Sequence, residues 1–317
     1  MLEDSSLIEY CLLNELDLKR INLPKNIEQT ELHRNEAQFS ILNGQLILNR
    51  KSDSVDDIRL GFFQSFTQQV LDHFKLKDLE FKFIVNLNDG PENEAAETRF
   101  CFARPRDSAH ICIPDSHLPR LNSICEVLPQ WDIPFDEKVN KASFFGSDTG
   151  RKYPDGSVQR VKFCQKYKNH QRIDAKIVNF VEQPIDPEVL GEVVSIKDQL
   201  LYRYILNING NTTSWERLIW AMSSNSFCIF IRPPKHQDEI SWYYHIFDVS
   251  SSFLMLGENE VENFIYWADN NKEELINLNE RQKIMGNTLA KMNLHAQYYG
   301  NLLANYNSIY NESLKQS

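Results

Sequence analysis

Tyr202-Arg203-Tyr204-Ile205-Leu206-Asn207-Ile208-Asn209-Gly210-Asn211-Thr212-Thr213-Ser214-Trp215-Glu216-Arg217 reads as a strand that runs through a glycine turn into a capped helix. The strand pattern ends at Asn209-Gly210, and Trp215, Leu218, Ile219 and Met222 then fall at i, i+3, i+4 and i+7 on one helical face. Thr213 with Glu216 three residues on has the spacing of a capping box. A helix start carries unpaired backbone N–H groups and about half a positive charge, and Arg217 adds a two-pronged donor where a phosphate would sit. The segment reads either as an anion cradle or as an ordinary strand-to-helix turn, and both readings place it in an α/β domain.

Downstream, Phe227-Cys228-Ile229-Phe230-Ile231 is apolar throughout and suits a central parallel strand. Val261, Phe264, Ile265 and Ala268 share a helical face, and Ile284 to Tyr310 holds a long pattern ending in Tyr298, Tyr299, Tyr306 and Tyr310. Upstream, Lys141 to Phe145 reads as a strand that turns at Gly146-Ser147-Asp148-Thr149-Gly150 and continues through a polar loop into Val158 to Tyr167. The proline-containing run Leu128 to Phe135 reads as the connection between two halves.

In the first half, residues 1–57 are polar and irregular apart from a hairpin around Phe39 to Leu48, turned at Asn43-Gly44. Leu60, Phe63, Phe66, Val70 and Phe74 mark a helix. Phe81 to Leu87 marks a buried strand that stops at Asn88-Asp89-Gly90-Pro91, so Asp89 stands at a strand's carboxyl end, where open α/β sheets gather ligands. Two short strands follow, Arg99 to Ala103 and His110 to Ile113.

The 317 residues suffice for two domains of about 150 residues each. With 42% hydrophobic residues, 11 Gly and 12 Pro, the composition is that of a folded protein. A net charge of −10 opposes nucleic acid and anionic membranes as general partners, so a phosphate-bearing ligand needs a local basic pocket. Cys11, Cys101, Cys112, Cys125, Cys164 and Cys228 show no CxxC pair and read as buried thiols in a reducing compartment. The acidic start Met1-Leu2-Glu3-Asp4 lacks the character of an export signal, and no run is long enough for a membrane span. Asn211-Thr212-Thr213 is formally a glycosylation sequon, but a glycan there would block the turn; the expectation is a cytoplasmic protein, with peripheral membrane contact left open.

Three landmarks in this order resemble glycosyltransferase family 90, over about residues 45 to 310. They are Val85-Asn86-Leu87-Asn88-Asp89-Gly90-Pro91, then Phe145-Gly146-Ser147-Asp148-Thr149 with Arg160, then the block from Tyr202 to Arg217. The family contains protein O-glucosyltransferases together with capsule-associated and lipopolysaccharide-modifying transferases. The resemblance implies a GT-B-like α/β fold, two Rossmann-like halves facing a central cleft: residues 1–135 on the acceptor side, and 136–317 binding the nucleotide sugar, with terminal helices able to pack back on the first half. It implies transfer of a hexose or pentose, glucose or xylose favoured, from a UDP-sugar to a glycan or protein hydroxyl, with inversion and without cofactor or metal. Asp89 then takes the role of general base, and Ser147, Arg160, Asn211, Thr212, Thr213, Ser214 and Arg217 contact the donor. Phe145 stands where relatives commonly carry Arg, and this departure supports the alternative of an inactive sugar-nucleotide or glycan-binding protein of the same fold. An unrelated α/β interaction module is the third reading.

The residues themselves bear on that chemistry. A carboxylate at a strand end suits proton removal from an acceptor hydroxyl, though Asn-Asp-Gly-Pro is also an ordinary turn; Asp115 is the next candidate. Arg160 and Arg217 are the cations for a leaving diphosphate, or surface ion-pair partners. Asp-x-Asp, HxxxH, Walker, GxGxxG and Gly-x-Ser-x-Gly patterns are absent. Trp242-Tyr243-Tyr244-His245 lines a sugar site or packs a core.

Overall fold

The structure, a computed structural model, describes residues 4–24, 26–90, 97–181, 186–213, 216–234, 239–249 and 253–316. The chain folds as two compact units: unit 1 is Met1–Ser116, Glu239–Asp248 and Met292–Ser317, and unit 2 is His117–Asp238 and Val249–Lys291.

Unit 1 begins with α1 (Asp4–Glu15), β1 (Glu36–Leu42), β2 (Gln45–Lys51), α2 (Asp57–His73), β3 (Phe81–Asn86), β4 (Phe100–Cys101), β5 (Arg104–Pro105) and β6 (Ile111–Cys112). The chain passes into unit 2 as α3 (Leu118–Trp131), β7 (Val139–Ser147), α4 (Gln159–Tyr167), β8 (Ile173–Asn179), α5 (Ile196–Gln199), β9 (Tyr202–Ile208), α6 (Glu216–Met222) and β10 (Phe227–Ile231). After β11 (Glu239–Ile240) and α7 (Tyr244–Val249) come β12 (Met255–Leu256), α8 (Val261–Asn270), α9 (Lys272–Leu289) and finally α10 (Met292–Gln316).

The unit 1 sheet has the order β2-β1-β3-β4-β6. The β1–β2 hairpin turns at Asn43-Gly44 as expected, β1 is antiparallel to β3, and β3, β4 and β6 run parallel. Residues before the hairpin are not irregular throughout, because α1 occupies them. Leu7, Ile8 and Cys11 form its buried stripe, and Glu15 completes it as a fully buried carboxylate, which a count of apolar positions rejects. Glu15 accepts from Arg104 Nε and Nη2, both at 3.1 Å, from the Cys112 amide at 2.9 Å, and pairs with His245 Nε2 at 2.9 Å. Trp242, Tyr243, Tyr244 and His245 are all buried, and Trp242 stacks on Tyr298 of α10 with centroids 4.1 Å apart, so this cluster is packing.

In unit 2, β10 is apolar throughout, and β9 and the second half of β7 are buried on both faces of the sheet. Every strand pair is parallel and the order is β8-β7-β9-β10-β12. Counted along the unit, that order is 2-1-3-4-5, the doubly wound pattern whose direction of winding reverses between its first and third strands. The reversal falls between β7 and β9. Phe163 and Cys164 of α4, Val261, Phe264, Ile265 and Ala268 of α8, and Leu275 of α9 cover the face carrying Phe144, Leu206 and Ile229. The run expected as a connection, Leu128 to Phe135, is helical up to Trp131, with Pro129 inside α3. The long pattern from Ile284 divides into α9 and α10.

Candidate functional site

The winding reversal leaves the carboxyl ends of β7 and β9 as the natural ligand crevice of unit 2, since the connections after these two strands leave in opposite directions. Ser147 closes β7, and its hydroxyl lies 2.7 Å from Thr149 Oγ1. Arg160, in the first turn of α4, returns over this turn: Nη1 donates to Ser147 Oγ at 3.1 Å and Thr149 Oγ1 at 3.4 Å, while Nε and Nη2 donate to the Ile208 carbonyl at 3.2 and 2.9 Å. Two glycines make this approach possible. Gly150 has φ +144°, with a built Cβ 3.1 Å from the Asn209 carbonyl oxygen, and a Cβ on Gly210 would stand 3.2 Å from Arg160 Nη2.

Arg217, in the first turn of α6, donates through Nη2 to the Phe145 carbonyl at 2.5 Å. Its guanidinium and that of Arg160 both lie over the Phe144 ring. Neither arginine forms an ion pair with a carboxylate among the described residues, and Arg217 Nη1 is buried without a hydrogen-bond partner there. Glu216 pairs instead with Arg120 of α3 at 2.8 Å, so its carboxylate is turned to that helix rather than serving the expected capping box. Burial pushes the Arg160 guanidinium down to about 9, helped by the charge of Arg217. Burial likewise pushes Arg217 down to about 10, against the opposing charge of the neighbouring Glu216 and with a smaller push from Arg120. Two cations enclosed by neutral acceptors are unfavourable by themselves, and an anion is what such a pair lacks.

Of the residues expected at the donor, the structure thus brings together Ser147, Arg160 and, across the same ring, Arg217. Thr212 and Thr213 are buried in the loop after β9, Asn211 is exposed, and Ser214 lies outside the described residues, as does Trp215. Thr149, Gly150 and Gly210 are turn residues in the sequence reading and Phe144 a strand residue, and none of the four was named there as part of the site. The two glycines flanking an arginine contact were the available signal.

In unit 1, Asp89 stands just past β3, with Oδ1 2.5 Å from Arg59 Nη2; Arg59 Nη1 also donates to the Leu87 carbonyl at 3.0 Å. Pro91 of that landmark lies outside the described residues. Asp115 is buried in the same unit, where its charge raises the Tyr243 hydroxyl after the larger effect of burial. Among the described residues no three His, Cys, Asp or Glu side chains gather as a metal site, and no helix is long and apolar enough to cross a membrane.

Comparison with known proteins adds two findings. One stretch of 74 residues is 32% identical to the O-glucosyltransferase LpsA of Dichelobacter nodosus, covering 23% of this chain and 22% of that protein. The chain thus matches about a fifth of the length of this curated relative. The sequence profile of glycosyl transferase family 90 matches residues 15–315, which takes in both units and all three landmarks. By that match, spanning nearly its whole length, the chain belongs to glycosyl transferase family 90.

Proposed function

We propose that the chain is an inverting glycosyltransferase of GT-B type that moves glucose or xylose from a UDP-sugar to a hydroxyl of a glycan or protein acceptor, without a required metal, in a cytoplasmic setting. The observation that carries this reading is the Arg160–Arg217 pair, two guanidiniums without carboxylate partners at the winding reversal of a parallel sheet. A departing nucleoside diphosphate accumulates negative charge, and fixed guanidiniums in a partly desolvated site stabilise that charge as it develops. Relatives commonly carry an arginine at position 145. Here Arg217, bonded to the Phe145 carbonyl, brings a guanidinium to the same strand end.

Asp89 is the proposed base, taking the acceptor hydroxyl's proton as the new glycosidic bond forms and the bond to the diphosphate breaks. Arg59 fixes its orientation. Ser147, Asn211, Thr212, Thr213 and Ser214 complete the donor contacts in this reading.

Calorimetry with UDP tests the donor half: Arg217→Ala is expected to weaken binding by about 10- to 100-fold, in line with a lost charge-assisted hydrogen bond. Turnover tests the acceptor half, with Asp89→Asn expected to abolish transfer while UDP still binds. One observation favours a second reading, that of an inactive nucleotide-sugar or glycan-binding protein: the Asp89 carboxylate is already occupied by Arg59. Absence of turnover in the wild type across UDP-sugars, with UDP binding intact, would select that reading.

A further inference from the structure

The turn between α4 and β8 leaves an open groove against α8, with a volume of about 410 Å³. This turn stands at the amino end of β8, whereas Ser147 pairs with Asn179 at the carboxyl end of the same strand. The seven residues of β8 therefore put about 20 Å of strand between the turn and Ser147. On α8, Glu262, Ile265, Tyr266 and Asp269 fall at i, i+3, i+4 and i+7, which is one helical face. The outer two meet the turn. Asp269 accepts from both Nη groups of Arg172, at 2.8 and 3.1 Å, and Glu262 Oε1 stands 3.4 Å from His170 Nε2. These two carboxylates are about 10 Å apart along the helix, with the buried Ile265 as the floor between them. Tyr266, on the rim, is 73% exposed.

Arg172 is engaged on its other side as well, Nε donating to the Asn140 carbonyl at 2.8 Å and Nη2 to Asn140 Oδ1 at 2.9 Å. His170 Nδ1 accepts the Arg172 amide at 3.2 Å, which leaves the ring proton on Nε2, beside Glu262. With Arg172 and Asp269 cancelling each other and the imidazole uncharged, Glu262 makes the groove negative, so phosphates, sulfates and uronates are repelled. The groups left for a ligand are the Glu262 carboxylate and the exposed carboxamides of Asn169 and Gln171, which have no hydrogen-bond partner among the described residues. Each carboxamide both donates and accepts, a pattern that suits hydroxyl groups. The negative π-face of Tyr266 suits the weakly positive C–H face of a sugar ring. A pyranose presents both surfaces at once.

We infer that this groove is a second carbohydrate site, taking one neutral pyranose unit of a glycan stacked on Tyr266 and hydrogen-bonded to Asn169, Gln171 and Glu262. It shares no residue with the donor contacts at the other end of the sheet and does not depend on the donor reading.

The test is an NMR titration of the full chain that follows the side-chain amide signals of Asn169 and Gln171. The neutral probes are maltotriose, cellotriose and chitotriose, with trigalacturonate as the acidic control and trilysine as the cationic one. At least one neutral probe is expected to shift both signals with a dissociation constant of about 1 mM, and neither control is expected to do so. Tyr266→Ala should weaken that binding about tenfold, and Tyr266→Phe should keep it, because the ring and not the hydroxyl does the stacking. Both substitutions fall on an exposed side chain and should leave the melting temperature unchanged. Gln171→Ala, also on the surface, should weaken the same sugar with the ring intact. Shifts from none of the neutral probes, equal or stronger shifts from either control, or binding that survives Tyr266→Ala overturns the inference. UDP added to the same samples reports on the arginine pair separately, so failure of the donor reading leaves the sugar result standing.

Discussion

The guanidinium carbons of Arg160 and Arg217 stand 5.7 and 5.3 Å from the centre of one ring, Phe144. That ring is fully buried and supplies a negative π-face to two cations that have no acid partner among the described residues. An aromatic face offsets only part of the cost of enclosing two charges, so the site is expected to be stabilised by an anion carrying no sugar or base. At 100 times its dissociation constant, pyrophosphate should contribute about 2.7 kcal/mol, a rise in melting temperature of about 5–10 °C. Arg160→Gln should remove most of that rise, and an undiminished shift in the variant would place the anion elsewhere.

Gly146 precedes Ser147 on the same strand, and a built Cβ there would lie 2.6 Å from Phe144 Cζ. The ring can occupy its place beneath the arginines only because position 146 has no side chain. Gly146→Ala should therefore displace Phe144, destabilise the chain by about 1–3 kcal/mol through overpacking, and weaken UDP binding with both arginines intact. Urea melts and calorimetry on the same preparation check the two effects, and a stable variant with normal UDP affinity would show that Phe144 does not support the pair.

The parts of this arrangement differ in how openly the sequence displays them. Strands β3, β9 and β10 announce themselves as largely apolar runs, β7 by its Phe144-Phe145 pair before a glycine turn, and α2 and α8 as periodic faces, since burial on one or both sides leaves a local pattern. The strand Ile173–Asn179 went unrecognised because Asp174 and Lys176 alternate with Ile173, Ala175 and Ile177 in a stretch flanked by polar residues. Helix α1 was hidden for another reason: one of its buried positions is Glu15, whose partners Arg104 and His245 lie far along the chain. At the site, Ser147, Arg160 and Arg217 were legible as chemistry-bearing residues. The ring shared by Arg160 and Arg217 depends on the order of strands, which no local pattern states.

Glu15 makes unit 1 sensitive to acid. Burial alone would raise its carboxyl, but Arg104 and His245 outweigh that and hold it near about 2, against an ordinary value of 4.5. Because the folded value lies below the unfolded one, its contribution is complete above about pH 4.5 and is lost as pH falls toward 2. His110 acts earlier. Burial, with Arg99 and Arg104, pushes it down to about 4 from 6.5, so stability begins to fall below pH 6.5 as the unfolded chain takes up that proton first. The protection factors of the α1 amides, exchange corrected for its intrinsic pH dependence, should fall through this range. Glu15→Gln should cost about 3–5 kcal/mol at neutral pH by leaving Arg104 buried without its partner, and should flatten the dependence below pH 4.5. A variant as stable as the wild type would mean that α1 is held by Leu7, Ile8 and Cys11 alone.

Asn207 is the remaining oddity of the strand that decides the fold. It is fully buried in β9 opposite Phe230, and neither Oδ1 nor Nδ2 has a hydrogen-bond partner among the described residues. Leu206 and Ile208 on either side of it face the unit 2 core, so the carboxamide points to the other face of the sheet. A buried amide without partners costs about 1–3 kcal/mol, and a side chain of similar volume with no polar atoms removes that cost. Asn207→Leu is therefore expected to raise stability by about 1–2 kcal/mol in urea melts while leaving the arginine pair in place. Loss of stability instead would show that the carboxamide holds an ordered internal water. Gained stability with loss of UDP affinity would show that strand β9 gives up some of its own stability to keep a polar group at the ligand's edge.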